Sequence, residues 1–154
     1  MEDSGNQNLE PQIQRMLRED IDRVLKIEQA SFSQPYTREL FEEELHLDLA
    51  HPCVMRVGDA MVGFMDYWII KDEMHLITIA VDPSYRRLGL ATKFLNYLIE
   101  QAGKKQVKKI FLDVRKSNEA AIALYDKFEF SKIGIRKKYY SDNDEGAIVM
   151  EKKF

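Results

Sequence analysis

Chemistry concentrates where an apolar strand runs into an arginine pair and a glycine, in Ile79-Ala80-Val81-Asp82-Pro83-Ser84-Tyr85-Arg86-Arg87-Leu88-Gly89-Leu90-Ala91. The Ile-Ala-Val run suits a strand, Asp82-Pro83 stops it, and an apolar stripe beginning at Leu90 opens a helix. The first N–H groups of a helix have no intrahelical partner, and the helix dipole adds positive potential there, so a phosphate is the ligand that such a bend fits. Gly89 lets the main chain come close, Arg86 and Arg87 add fixed positive charge, and small Ala91 keeps the first helical turn tight against the strand. Taken alone, the two arginines read more simply as a solvated surface pair. No Gly-Lys-Ser/Thr follows the loop and no G-x-G-x-x-G is present, which excludes a P-loop and a dinucleotide fingerprint.

The flanking sequence supplies the elements that hold this bend. Met1 to Glu10 is polar and without periodicity, a loose tail before a domain spanning residues 11–154. Pro11 to Met16 alternates as a short strand; Asp20 then offers a cap for a helix with inward Ile21, Val24, Leu25 and Phe32. Ser33 to Tyr36 breaks that helix, and Thr37 caps a second one carrying Leu40, Phe41, Leu45 and Leu49. Cys53–Val57 and Met61–Ile70 form a hairpin about Gly58-Asp59, and Met74–Val81 is a third antiparallel strand. From Leu90 a 3.6-residue stripe (Phe94, Leu95, Leu98, Ala102) runs to a helix end near Gly103. The strand Lys109–Val114 follows a helix, so it lies parallel to Met74–Val81 through a right-handed crossover. Ser117-Asn118 caps a helix with inward Ala121, Leu124, Tyr125 and Phe128. Strands near Lys132–Arg136 and Ala147–Glu151 close the chain around a polar loop, Ser141 to Gly146.

The bulk numbers bound the possibilities. A chain of 154 residues, 45% hydrophobic and 32% charged, has room for one packed domain. Its net charge of −3 argues against holding a nucleic acid by general electrostatics. No window has the run of about 18 apolar residues that a membrane helix needs. One cysteine, Cys53, cannot form an intrachain disulfide, and no early stretch has the pattern of a signal peptide, which together read as cytoplasmic. His46, His51 and His75 lack metal-ligand spacing, so no metal is expected.

Two motifs carry a family resemblance. Arg86-x-x-Gly89-x-Ala91 after its strand resembles the [Arg/Gln]-x-x-Gly-x-[Gly/Ala] pyrophosphate-binding element of the GNAT superfamily of N-acetyltransferases. Downstream, Leu112-Asp113-Val114 through Asn118, Ala121, Leu124-Tyr125 and Phe130 resembles the family's L-x-V-x-x-x-N-x-x-A-x-x-L-Y-x-x-x-G-F segment, departing at Glu129, where the family usually has glycine. Arg136 to Tyr140 and Gly146 to Met150 further resemble the R-x-x-Y-Y and D-A-[IL]-x-M close of protein N-terminal acetyltransferases, above all the ribosomal-protein-alanine (RimI) type. The resemblance implies an α+β GNAT fold, three-layered, with a mixed, mostly antiparallel sheet of six to seven strands, a central β-α-β acetyl-CoA-binding unit and about four helices.

It also implies roles. Main-chain groups of Ile79, Ala80 and Val81 would hold the pantetheine and acetyl carbonyl, while Arg86 and the amides of Arg87, Leu88, Gly89, Leu90, Ala91 and Thr92 would cradle the pyrophosphate. Asn118 would bond the cofactor arm, although a plain N-cap role is equally compatible. A free α-amine has a pKa of about 7.7 to 8.0, so a base must take its proton before attack; the matched residue is Asp113, where RimI-type enzymes usually carry the longer Glu. Glu73 and Glu28 remain alternative carboxylates. Tyr125 matches the general acid, and Tyr36 and Tyr139 would flank the acceptor. The implied partner is a protein N-terminus, that of an alanine-starting small-subunit ribosomal protein. A small-molecule amine acetyltransferase and a CoA-binding module without turnover stay open.

Overall fold

The computed structural model describes residues 10–33, 35–140 and 142–154. The expected tail therefore lies outside the described residues apart from exposed Glu10. Seven strands form one sheet, β1 (Gln12–Arg15), β2 (Cys53–Val57), β3 (Ala60–Ile70), β4 (Glu73–Val81), β5 (Lys109–Arg115), β6 (Ser131–Arg136) and β7 (Ala147–Lys153), in the order β1-β2-β3-β4-β5-β7-β6. Four α-helices accompany them, α1 (Ile21–Ser31), α2 (Arg38–His46), α3 (Leu90–Lys104) and α4 (Glu119–Lys127). The recorded antiparallel pairs are β1–β2, β2–β3, β5–β7 and β6–β7; β4 and β5 run parallel, as the intervening α3 requires. This is the mixed, mostly antiparallel sheet that the sequence leads one to expect.

The chain divides into two compact units. One comprises Met1–Asp66 and Thr78–Phe94. Its core gathers Met16, Ile21, Val24, Ile27, Phe41, Val54, Met61, Phe64 and Ala80. Phe41 meets Phe64 edge to face at 5.7 Å, a favoured aromatic geometry. The spacing of Ile21, Val24 and Ile27 turns one face of α1 inward, and all three are buried. Phe32 is not part of that face: α1 ends at Ser31, and Phe32 sits 38% exposed in extended backbone. Asp20 does not cap α1 either. It is buried, accepts the Leu17 N–H at 2.9 Å and pairs with Arg56, which ties the 3-10 turn Arg18–Asp20 to β2. Thr37 does cap α2, its hydroxyl accepting the Leu40 N–H at 3.3 Å. That helix stops at His46, short of Leu49, and it exposes Leu40.

The other unit comprises Tyr67–Ile77 and Leu95–Phe154. Here β7 pairs with β5 over the whole of both strands, from Lys109↔Lys153 to Arg115↔Ala147. Alternation along β5 buries Ile110, Leu112 and Val114 and leaves Asp113 and Arg115 on the opposite face. The end of α4 resolves the Glu129 departure. Glu129 itself takes the left-handed conformation (φ 67°), with Phe130 N–H donating to Tyr125 O at 3.0 Å and Glu129 N–H to Asp126 O at 2.9 Å. Those bonds are a Schellman motif built without its usual glycine, and Phe128, expected inside the helix, is its C-cap. Among the described residues no helix is long and apolar enough to cross a membrane.

Candidate functional site

In the first unit, β4 delivers the bend. Asp82 accepts the Ser84 N–H at 2.8 Å, donates its own N–H to Val62 O at 2.8 Å and pairs with Arg23. The Ser84 amide, then Arg23, holds its carboxyl below the usual aspartate range. Pro83–Tyr85 forms a 3-10 turn, after which Arg87 (φ 68°) and Gly89 (φ 75°) both adopt left-handed backbone, which only glycine takes without a Cβ penalty. A Cβ on Gly89 would meet nothing within 4 Å, so the main chain there is open to approach. Lys93 N–H is the first of α3 to reach a loop carbonyl, Gly89 O at 3.2 Å; the amides of Leu90, Ala91 and Thr92 precede that bond. A glycine-opened helix start with three such amides fits an anionic diphosphate.

The arginines behave differently from one another. Arg86 Nε donates to Val81 O at 3.2 Å and its Nη2 to Ser31 Oγ at 3.3 Å, so this guanidinium clamps the end of β4 to the last residue of α1. Arg87 and Leu88 are exposed. Ala80 and Val81 are buried and Ile79 half-buried, beyond His75, the last β4 residue recorded as paired with β5.

Gly63, in the middle of β3, was not recognised from the sequence. A Cβ there would lie 2.8 Å from Ala80 O and 2.9 Å from Phe94 Cε2, so its absence lets β3 pack directly behind the strand end that leads into the bend. The available signal was a glycine inside a strand, which often marks a close main-chain approach. Tyr36 stands 36% exposed with its ring 5.9 Å from Phe41. Its N–H donates to Glu28 Oε2 at 2.8 Å. Glu28 is only 2% exposed, and its Oε1 has no hydrogen-bond partner among the described residues. Burial raises its carboxyl pKa, partly offset by the Tyr36 amide. One of the alternative carboxylates is thus the anchor of the segment that carries Tyr36.

The second unit holds the remaining candidates. Tyr125 is buried on α4 with its ring 5.8 Å from Phe130. Burial, then the neighbouring Tyr140, pushes its hydroxyl up to about 12, so it stays protonated at neutral pH. Asn118 Oδ1 accepts the Ala121 N–H at 3.1 Å, the N-cap contact expected of it. Asp113 lies on the outward face of β5 with its side chain 29% exposed and paired with Arg136 Nε at 3.3 Å. Glu73 opens β4 opposite Lys109, contacts His75 at 3.4 Å and is 48% exposed. Lys109 and Asp113 are four residues apart on β5, about 13 Å along an extended strand, so Glu73 does not share Asp113's surroundings.

Tyr139 and Tyr140 meet edge to face at 5.0 Å and differ in setting. Tyr139 is 49% exposed. Tyr140 is half-buried beneath the Arg115 guanidinium, 4.0 Å from its ring centroid. Burial, then the Asp113 charge, pushes the Tyr140 hydroxyl up to about 12. The Asp113 charge thus acts on Tyr140, and Tyr140 in turn on Tyr125. The sequence offers Tyr140 only through the R-x-x-Y-Y likeness at the acceptor side and gives Arg115 no role, although Arg115 shares a strand face with Asp113 two residues earlier.

Comparison with known proteins shows the family. The family described as the acetyltransferase (GNAT) family matches residues 21–130. The chain is 37% identical over 139 residues (90% of this chain, 92% of the relative) to a putative ribosomal protein bS18-alanine N-acetyltransferase of Bacillus subtilis. It is 36% identical over 138 residues (85% and 89%) to the ribosomal protein bS18-alanine N-acetyltransferase of Escherichia coli. The crystal structure of the ribosomal-protein-S18-alanine N-acetyltransferase from Escherichia coli superposes with a TM-score of 0.87 at 32% identity, covering 94% of both chains.

Proposed function

We propose that this chain, which belongs to the GNAT acetyltransferase family, transfers an acetyl group from acetyl-CoA to the N-terminal α-amine of an alanine-starting small-subunit ribosomal protein. The observation that carries the acceptor is the likeness to bS18-alanine N-acetyltransferases, which runs through 85% to 90% of the sequence. An acceptor of this kind puts the work in the cytoplasm, with residues 11–154 as the working domain.

On this reading the Leu90, Ala91 and Thr92 amides, with those of Arg87 to Gly89, receive the diphosphate, and Arg86 shapes the bend that presents them. Main-chain groups of Ile79 to Val81, past the last β4–β5 pair, hold the pantetheine arm. Asn118 keeps its cap on α4 and offers that arm its remaining polar atoms. When bound, acetyl-CoA supplies an activated acetyl carbonyl and a thiolate leaving group. Asp113 accepts the proton of the incoming ammonium through a water, since its side chain is one methylene shorter than the usual Glu. Tyr125 holds its proton on Oη until the sulfur departs, a task suited to a hydroxyl that burial keeps neutral. The family likeness assigns acceptor contacts to Tyr36 and Tyr139.

The test is to incubate the protein with acetyl-CoA and a panel of N-terminal peptides, polyamines and lysine peptides, following thiol release. Alanine-starting peptides are expected to be the best acceptors. Faster release with polyamines, or none with any peptide, defeats the reading.

A further inference from the structure

We propose that Arg115 is a positioning residue that seats the β6–β7 loop, and with it Tyr140, beside the face of β5 that carries Asp113, and so governs how well the acceptor is held. This rests on the acetyl-transfer reading above. The guanidinium spends its donor edge on one short segment: Nη2 bonds Asp142 Oδ2 at 2.9 Å, while Nη1 bonds Glu145 Oε1 at 3.2 Å and Asn143 Oδ1 at 3.4 Å. Its face lies over the Tyr140 ring at 4.0 Å. A planar fork with an aromatic beneath it is a combination that lysine cannot reproduce.

The same loop is tied a second time to the turn that starts α4. Glu145 Oε2 accepts the Ser117 N–H at 2.6 Å, and Lys116 N–H donates to Gly146 O at 3.2 Å. Inside the loop, Tyr140 N–H donates to Glu145 O at 3.0 Å and Glu145 N–H to Asn143 Oδ1 at 3.0 Å, which links Tyr140 to the residues that Arg115 holds. The sheet does not depend on this latch. Arg115 pairs with Ala147 through main chain, and the six β5–β7 pairs from Lys109 to Val114 lie beyond it. Losing the side chain therefore frees the loop while β5, which carries Asp113, stays in register.

Two measurements test the role. The first needs no substrate: hydrogen exchange at the Tyr140 amide should quicken at least tenfold in Arg115→Met, and exchange at the wild-type rate overturns the proposal. The second compares steady-state kinetics on an alanine-starting peptide. Arg115→Met should raise the peptide KM at least tenfold with acetyl-CoA Kd within twofold of wild type, and Arg115→Lys should recover only a minor part of the loss. An unchanged KM, or an equal loss of acetyl-CoA affinity, overturns it. Should Arg115→Met fail to fold, the Asp142→Asn/Glu145→Gln double variant, which leaves Arg115 in place, must raise KM in the same direction or the role is refuted. A wild type that acetylates nothing defeats the proposed function alone, because the exchange measurement still decides whether Arg115 seats the loop.

Discussion

Around Gly89 the chain is fixed by main-chain geometry: a left-handed glycine, a 3-10 turn and a helix start whose first amides precede the helical ladder. Around Arg115 the chain is fixed by side-chain charge, with one guanidinium collecting Asp142, Asn143 and Glu145. The first arrangement leaves its marks in glycine spacing and a proline stop. The second is assembled from residues roughly thirty positions apart, no one of which is unusual by itself, and it titrates.

The largest expected effect sharpens the contrast at the chemical step. Tyr125→Phe removes the proton but keeps the ring against Phe130, so kcat should fall at least about tenfold with acetyl-CoA affinity nearly intact; single-turnover rates with calorimetry would check this. Next, Gly63→Ala should cost about 1–3 kcal/mol, the scale of forced overpacking, and weaken acetyl-CoA binding together with thermal stability, because the added carbon meets Ala80 O and Phe94. Affinity unaffected by that change would break the view that packing behind β4 shapes the bend. Glu129→Gly should stabilise the fold by about 1 kcal/mol by relieving a left-handed side chain, readable as a higher denaturant midpoint. Removing its exposed contact with Lys152 should matter little. Arg87→Ala should weaken acetyl-CoA about threefold, a surface charge's share; a loss of a hundredfold would transfer the binding from amides to the side chain.

The bend and the latch share the sign of their acid–base behaviour, with Asp82 and Glu145 both held below the ordinary carboxylate range, whereas buried Glu28 has the opposite sign. Glu145 titrates below its ordinary range, chiefly because the Ser117 hydroxyl, then the Ser117 amide and Arg115, favour the carboxylate. Its contribution is complete above the unfolded value and is lost as pH falls through the lower folded one, so the loop holds at neutrality and loosens only in acid. Glu28 is shifted upward by burial, so the folded protein retains a proton that the unfolded chain gives up. Stability therefore declines as pH rises from the ordinary glutamate value through the raised one. Glu28→Gln should flatten that decline and raise the melting temperature at pH 7, which a pH series of thermal melts would reveal.

What the sequence disclosed follows from the same division. Thr37, Asn118, the α3 stripe and the Asp82-Pro83 stop act over a few residues, and each stands where local chemistry puts it. Asp20 misled because a buried aspartate beside Arg56, on β2, serves a tertiary partner before a helix end. Phe32 misled because helical periodicity gives no notice that α1 ends at Ser31. The bend was legible as an anion site, whereas Arg86's engagement with Val81 and Ser31 was hidden by the long separation of Ser31 from it. Asp113 and Tyr125 were placed by family likeness. Only folding discloses that Tyr140 lies under Arg115, on the strand that carries Asp113, because the loop carrying it reaches β5 through contacts between distant residues.

The order β5-β7-β6 has a consequence for how this half of the sheet is made. The strand that fills the space between β5 and β6 follows both of them along the chain, so β6 has no ladder to join until the last strand has threaded into place. Nucleation by a neighbouring hairpin is therefore available to β6–β7 but not to β5 and β6, and docking against β5 must await closure of a long loop, an entropic toll that slows assembly. Until then the segment bearing the two tyrosines has nothing to be seated on.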